Sequence, residues 1–280
     1  RTIHYINIAS IGDGTVTLDS TTVSNTGGQP VPVYAGTQPV LIFSPAQHYA
    51  IDSLSVDGVN RLADLVAEQD STGATGRLLL TLETVTADKS VFVQFAQIMH
   101  TLTLNAQGQG YIYYNEELRN AEQSYQVAEG DSVSLTIVAD YGYELGGATM
   151  NGQDISALIG ADNHFRLRMD EDVAIVATFG QTFVPLTVSV AGNGRVNYAG
   201  TDIREGEPQT FQVGQGQQLR LAVVADEYNE LSELLVNGQS TGISNDTLVI
   251  DVHEATAIDV RFARTIHYIN IASIGDGTVT

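Results

Sequence analysis

The chain has 280 residues, no cysteine and no tryptophan, and its 33 acidic against 12 basic residues give a formal net charge of −21. Its one lysine, Lys89, and scattered arginines make no basic face, which excludes a nucleic-acid partner, because a phosphate backbone is held by clustered cations. The lack of cysteine excludes thiol catalysis, thiolate metal sites and disulfides, and 43% hydrophobic with 16% charged residues describes a folded chain with no membrane-length apolar run.

In chain order, Gly12-Asp13-Gly14 reads as a turn into the strand Thr15 to Leu18. Val31 and Val33 lead to Gly36, Leu41 and Phe43 alternate after it, and Val56-Asp57-Gly58 is a hairpin signal. A turn or two of helix is expected at Arg61 to Glu68, and Val91-Phe92-Val93-Gln94-Phe95-Ala96 closes the pattern. The same landmarks return as Gly108-Gln109-Gly110, Tyr125 and Val127 before Gly130, Met150-Asn151-Gly152, and Ile175 to Gly180, with another short helical stretch at Asp154 to Ile159. They return again as Gly192-Asn193-Gly194, Phe211 and Val213 before Gly216, Val236-Asn237-Gly238, and Ile258 to Ala263. Three modules are expected, at 1–97, 98–181 and 182–263. Module one carries two extra stretches, at Thr21 to Pro30 and Arg61 to Thr75.

Alternation of Leu102 and Leu104 with Thr101 and Thr103, and of Leu186, Val188 and Val190 with Thr187 and Ser189, gives strands with one apolar face. The glycine turns supply positive backbone dihedrals where the chain reverses. The fold class is therefore all-β: three tandem small antiparallel sandwich or barrel-like modules, each roughly 30 Å across. Short junctions at Ala96 to His100 and Gly180 to Pro185 favour a stiff rod.

A second repetition is stricter. Residues 1–17, RTIHYINIASIGDGTVT, recur letter for letter as 264–280, a period of 263 residues. Residues 264–280 are the start of the next copy of module one, with a fourth turn at Gly275-Asp276-Gly277. Residues 1 to 20 show no signal-peptide pattern, as expected of a chain that begins inside a longer repeat.

Module three, with LTVSVAGNGRVNYAG, EGEPQTFQVGQGQQLRLAVVADEYNELSELLVNGQ and IDVRFA, resembles the divergent internalin-B B-repeat domains of bacterial surface proteins, and module two, with TLTLNAQGQGYIYYN, VAEGDSVSLTIVADYGYELGGATMNGQ and AIVATFG, matches comparably. Leu54, Ala148 and Leu234 stand in the region where that family usually carries a Trp. The resemblance implies a cell-surface or extracellular stalk, adhesion or matrix role, and it brings no catalytic residues.

The residues offer no catalytic constellation. His4, His48, His100, His164, His253 and His267 lack metal-ligand spacing, and no HExxH or Gly-x-Ser-x-Gly pattern occurs. The Gly-x-Gly turns lack the third glycine and the helix of a phosphate loop. Acidic stretches at Glu116-Glu117, Asp170-Glu171-Asp172, Asp226-Glu227 with Glu230 and Glu233, and Asp251 with Glu254 would suit calcium, although none has an EF-hand pattern. Lys89 is a solvated lysine by default, and Tyr49, Tyr143 and Tyr228 recur near the start of the strand that leads into the hairpin, with Tyr228 displaced by one place.

The expected function is structural, not enzymatic. The sequence describes a unit of a secreted bacterial fibre, stalk or matrix filament whose partners are copies of itself, joined covalently or by strand addition. The alternative is an adhesin that presents a glycan or protein site on loop tips, above all in module one.

Overall fold

In the computed structural model, which describes residues 1–270, 272 and 274 apart from 71–72, 116, 120 and 243–245, the chain is built from strands. Its described helical structure is two single 3-10 turns, Leu62–Asp64 and Ser156–Leu158, both inside the stretches where the sequence allows a turn of helix. Six sheets are present among the described residues, and they enclose three separate apolar cores, so the all-β sandwich architecture read from the sequence is the observed one.

The second sandwich shows the plan. One sheet holds, in spatial order, Gln123–Ala128, Met99–Gln107, Val173–Gln181, Tyr143–Met150 and Gln153–Asp154; the other holds Glu117–Arg119, Gly110–Tyr114, Ser132–Ala139 and His164–Arg168. Leu102, Leu104 and Ala106 point inward from the first sheet and meet Val133, Leu135 and Ile137 from the second, as period-two alternation requires. The third sandwich repeats this order with Phe183–Ala191 and Thr256–Arg264 at the centre of its first sheet, and the first sandwich with Ile3–Ile11 and Lys89–Gln97.

One pairing in each sandwich departs from the antiparallel pattern. The opening and closing strands lie side by side and parallel, through Ile6 to Ile11 with Lys89 to Gln94, Leu102 to Gln107 with Val173 to Thr178, and Leu186 to Ala191 with Thr256 to Arg261. The chain between them crosses to the other sheet and back, which is the long connection that a parallel pair needs.

The repeated landmarks have specific structural causes. In each Gly-x-Gly turn only the first glycine has a positive φ, 84° at Gly12, 98° at Gly108 and 84° at Gly192. The second is small for another reason: a Cβ on Gly14, Gly110 or Gly194 would lie 2.6, 2.7 or 2.4 Å from the ring of Phe95, Phe179 or Phe262 on the closing strand. The turn and the closing Phe are thus one packing unit. Both hairpin residues are left-handed, with φ of 52° and 78° at Asp57-Gly58, 48° and 79° at Asn151-Gly152, and 51° and 75° at Asn237-Gly238, as a type I′ turn demands. The Asp or Asn also clamps the closing strand. Its side-chain oxygen accepts from the N–H of Ser90, Ala174 or Ala257 at 2.8, 2.7 and 2.8 Å, while its own N–H donates to that residue's carbonyl at 2.8 Å in each sandwich.

The two extra stretches of the first sandwich differ in kind. Thr21 to Pro30 is no insertion relative to the third sandwich, because Leu18 and Tyr34 are as far apart in sequence as their counterparts Tyr198 and Gly214. It contains the strand Thr21–Val23 and the start of Thr26–Tyr34. The stretch from Arg61 does add structure: Val66–Asp70 pairs with Gly73–Thr81 and gives this sandwich a fifth strand in its second sheet.

Gly110→Ala should cost about 1–3 kcal/mol through overpacking against Phe179. Denaturant unfolding followed by tyrosine fluorescence would measure it, and Phe179→Leu in the same chain should recover part of the loss.

Candidate functional site: the joints between sandwiches

The closing strand of the first sandwich ends at Gln97 and the opening strand of the second begins at Met99, so Ile98 alone lies between them; Thr182 stands likewise between Gln181 and Phe183. Both linker residues are sewn to the sandwiches on either side. The Ile98 N–H donates to the His48 carbonyl at 2.9 Å, and the Ile98 carbonyl accepts from the Glu129 N–H at 2.8 Å. Thr182 donates to the Gly142 carbonyl at 2.8 Å and accepts from the Gln215 N–H at 2.9 Å. His48 and Gly142 hold the same place, left-handed at φ 67° and 83°, one residue before the strands that begin at Tyr49 and Tyr143.

An aromatic side chain fills each joint by lying against a glycine. The His48 ring covers Gly130, where an added Cβ would fall 2.8 Å from Nε2, and the Tyr141 ring covers Gly216, where it would fall 3.2 Å from Cε1. Both glycines also have positive φ, so two separate demands select the residue there.

Polar contacts then differ between the joints. At the first, imidazoles and carboxylates alternate in a row. His48 Nδ1 lies 3.2 Å from Glu129 Oε1, Glu129 Oε2 lies 3.3 Å from His100 Nε2, and His100 Nδ1 lies 3.7 Å from Asp172 Oδ1. His100 Nε2 is buried and lies close to the carboxylate without making a hydrogen bond. Asp172 is fixed by the Thr101 N–H at 2.7 Å. At the second joint the Tyr141 hydroxyl lies 2.9 Å from His253 Nδ1, and Gln215 Nε2 donates to the His253 carbonyl at 2.8 Å.

Other residues singled out in the sequence sit elsewhere. His4 pairs with Asp88 at 3.4 Å, His164 lies between the hydroxyls of Ser134 and Thr136 at 2.7 and 3.0 Å, and His267 is exposed. The acidic stretches do not converge. Asp170 meets Arg168 at 2.9 Å, Glu233 meets Arg261 at 3.4 Å, Asp226 meets Arg204 at 3.0 Å, and Asp251 accepts from Gln218 at 3.2 Å. Among the described residues no group of three or more His, Asp or Glu side chains is placed to hold a metal ion. Glu116 and the turn at 275–277 lie outside the described residues. Lys89 is ion-paired with Asp57 at 3.3 Å.

A shallow groove of about 600 Å³ on the second sandwich is lined by Tyr113, Asn115, Asp131, Ser132, Ser134 and His164 among others. No described helix is long and apolar enough to cross a membrane.

Tyr49 and Tyr143 occupy equivalent places, but Tyr228 is the counterpart of His48 and Gly142, left-handed at φ 62° and 72% exposed. The sequence shows the two short junctions but not the side chains that fill them, because those occupants change type from one repeat to the next. Its only consistent sequence signal is the glycine at 36, 130 and 216.

No family model matches the chain, and no curated protein does. The resemblance to internalin-B repeats therefore rests on the short motifs quoted above. Among solved structures, the chain is similar to the Bacillus anthracis TIE protein at 8% identity and TM-score 0.44, over 93% of this chain and 50% of that one. It is similar to the pilus adhesin SpaC from Lactobacillus rhamnosus GG at 11% identity and TM-score 0.28, over 97% and 44%. With the pilus-presented adhesin Spy0125 (Cpa) the figures are 10% identity and TM-score 0.22, over 93% and 99%. The chain thus spans about half the length of the first two.

Glu129→Ala should leave each sandwich's stability within about 1 kcal/mol, since partly exposed ion pairs contribute little, yet loosen the first joint. Distances between spin labels on the first and second sandwiches should spread, while those across the second joint stay narrow. The Tyr49 hydroxyl donates to Asp13, and that bond, reinforced by the carboxylate charge and by burial, raises the phenol above its ordinary pKa. The folded state therefore favours the neutral phenol, a contribution complete below the ordinary tyrosine pKa and lost as pH rises through the raised one. Asp13→Asn should move the Tyr49 titration down toward the ordinary value, as read by NMR.

Proposed function

We propose that this chain is a load-bearing segment of a long bacterial surface protein, a fibre, stalk or matrix filament, in which 1–97, 98–181 and 182–263 are successive modules of a 263-residue repeating unit. The observation that carries this reading is the parallel pairing of opening and closing strands in all three sandwiches. The chain enters a sandwich at the start of one strand and leaves at the far end of its parallel neighbour. Tension along the chain therefore pulls the two strands past one another lengthwise. All the hydrogen bonds between them are loaded together, whereas a hairpin pulled from its open end would lose them one at a time.

Two further observations support it. One residue per joint, bonded on both sides, transmits tension without a slack linker, and the recurrence of 1–17 as 264–280 is the pattern of a chain that repeats. The charge of −21 suits a solvated surface and keeps neighbouring filaments apart. The reading involves no catalysis, and its partners are copies of the same unit. An adhesin role would use the groove beside Tyr113 and His164, whose mixed aromatic and polar lining fits a glycan.

Pulling single molecules of the chain from its two ends should give three abrupt unfolding events, each releasing roughly 25–30 nm of chain at about 3.5 Å per residue. A gradual lengthening at low force would overturn the load-bearing reading. Intact mass of the protein taken from the cell surface should be a large multiple of the 29.9 kDa chain; a species near that mass would remove the covalent repeat.

A further inference from the structure

The two outer ends of the chain each carry half of the joint seen twice inside it. Thr265 follows the closing strand of the third sandwich, and its N–H donates to the Tyr228 carbonyl at 3.0 Å, as Ile98 does to His48 and Thr182 to Gly142. Thr2 precedes the opening strand of the first sandwich, and its carbonyl accepts from the Ala35 N–H at 2.9 Å, as Ile98 does from Glu129 and Thr182 from Gln215. Thr2 and Thr265 are the same residue of the repeat. One makes the bond that a joint directs forward, the other the bond that it directs back.

Side chains at the two ends are complementary in the same sense. Gly36 corresponds to Gly130 and Gly216 and has the same positive φ, 84° against 86° and 80°, but where those two are covered by the His48 and Tyr141 rings, nothing lies within 4 Å of a Cβ placed on Gly36. Tyr228, in the place of His48, is 72% exposed. An uncovered glycine and an unseated ring are left over. Residues beyond Thr265 are out of place as well. Ile6 is completely buried between the two strands that flank Ile3–Ile11, whereas its identical counterpart Ile269 is 85% exposed, as is Tyr268 at 86%.

We propose that the outer end of the third sandwich and the outer end of the first are the two halves of a third joint, through which one 263-residue unit stacks head to tail on a second copy. Thr265 takes the place of Thr2, Ile266 to Asn270 take the place of Ile3 to Asn7, and Tyr228 seats on Gly36 of the following copy. Arg264 then stands where Arg1 lies over the Tyr34 ring, 5.4 Å from its centre. This rests on the repeating-unit reading above and adds to it a defined, stiff register between units.

The test extends the 280-residue chain with a further copy of its residues 18–97, which completes a second first sandwich. Hydrogen exchange at Ile266 to Ile269 should slow by roughly a hundredfold or more, to the protection shown by Ile3 to Ile6. Spin labels on the third and the added sandwich should give a distance distribution as narrow as those across the first and second joints, and Tyr228→Gly, or Asp in place of the added copy of Gly36, should broaden it without slowing or reversing the gain in protection. Unchanged exchange at Ile266 to Ile269 would overturn the proposal. So would a protected strand with a broad distribution before any substitution, which would mean a chain of repeats joined loosely; that result would leave the shear-loaded sandwiches and their three unfolding events intact.

Discussion

The constraint on which the rest of the structure depends is the one-residue linker. A single peptide unit between Gln97 and Met99 cannot be both free and short: its N–H and C=O are at a crowded surface and need partners. The sandwich behind it offers a carbonyl, from His48 or Gly142, and the sandwich ahead offers an N–H, from Glu129 or Gln215. Those two bonds fix where the neighbours meet, and the side chains packed around them narrow the range of orientations. This explains why the first joint can use two histidines and a glutamate while the second uses Tyr141, His253 and Gln215. Charge at the joint is variable; the bonding pattern is not.

Within a sandwich the same economy recurs. The closing strand is fixed at its start by the Asp or Asn of the hairpin and near its end by a Phe ring that needs the second glycine of the first turn. Two short motifs, far apart in sequence, therefore act on one strand. That strand is also the one that pairs in parallel with the opening strand and continues directly into the linker. A bulge at the same place in each sandwich, opposite Gln94 to Phe95, Thr178 to Phe179 and Arg261 to Phe262, shifts its pairing just before the joint. Register and orientation both pass through it.

Much of this was legible in the sequence, and the part that was not has a physical pattern. Alternation in Leu102 to Ala106 and Val133 to Ile137, and the Asn-Gly hairpins, are local signals, and they placed the strands and turns. The parallel pairing was hidden because nothing in Leu102 or Val173 records which neighbour lies beside it. The second glycine of each turn was read as a dihedral requirement, when its cause is a ring contributed by a strand some seventy or eighty residues later. Tyr228 stands one place before the position of Tyr49 and Tyr143, and its backbone conformation places it with His48. Thr21 to Pro30 reads as an extra stretch in the sequence, yet the third sandwich has the same spacing there. In each case the missing information was a contact between distant segments.

The divergence between neighbouring sandwiches has its own physical use. Three sandwiches share strand order and turn chemistry but few core residues, so Ile8, Leu104 and Val188 occupy one structural place with three different shapes. If adjacent sandwiches were identical, each opening strand could pair as well with its neighbour's closing strand as with its own, at a linker length of one residue, and misassembly between repeats would compete with folding. Distinct neighbours make the correct pairing the better packed one. Exact repetition is deferred to a spacing of 263 residues, where two intervening sandwiches separate the identical strands. In the proposed repeating unit, each sandwich would then still recognise its own strands.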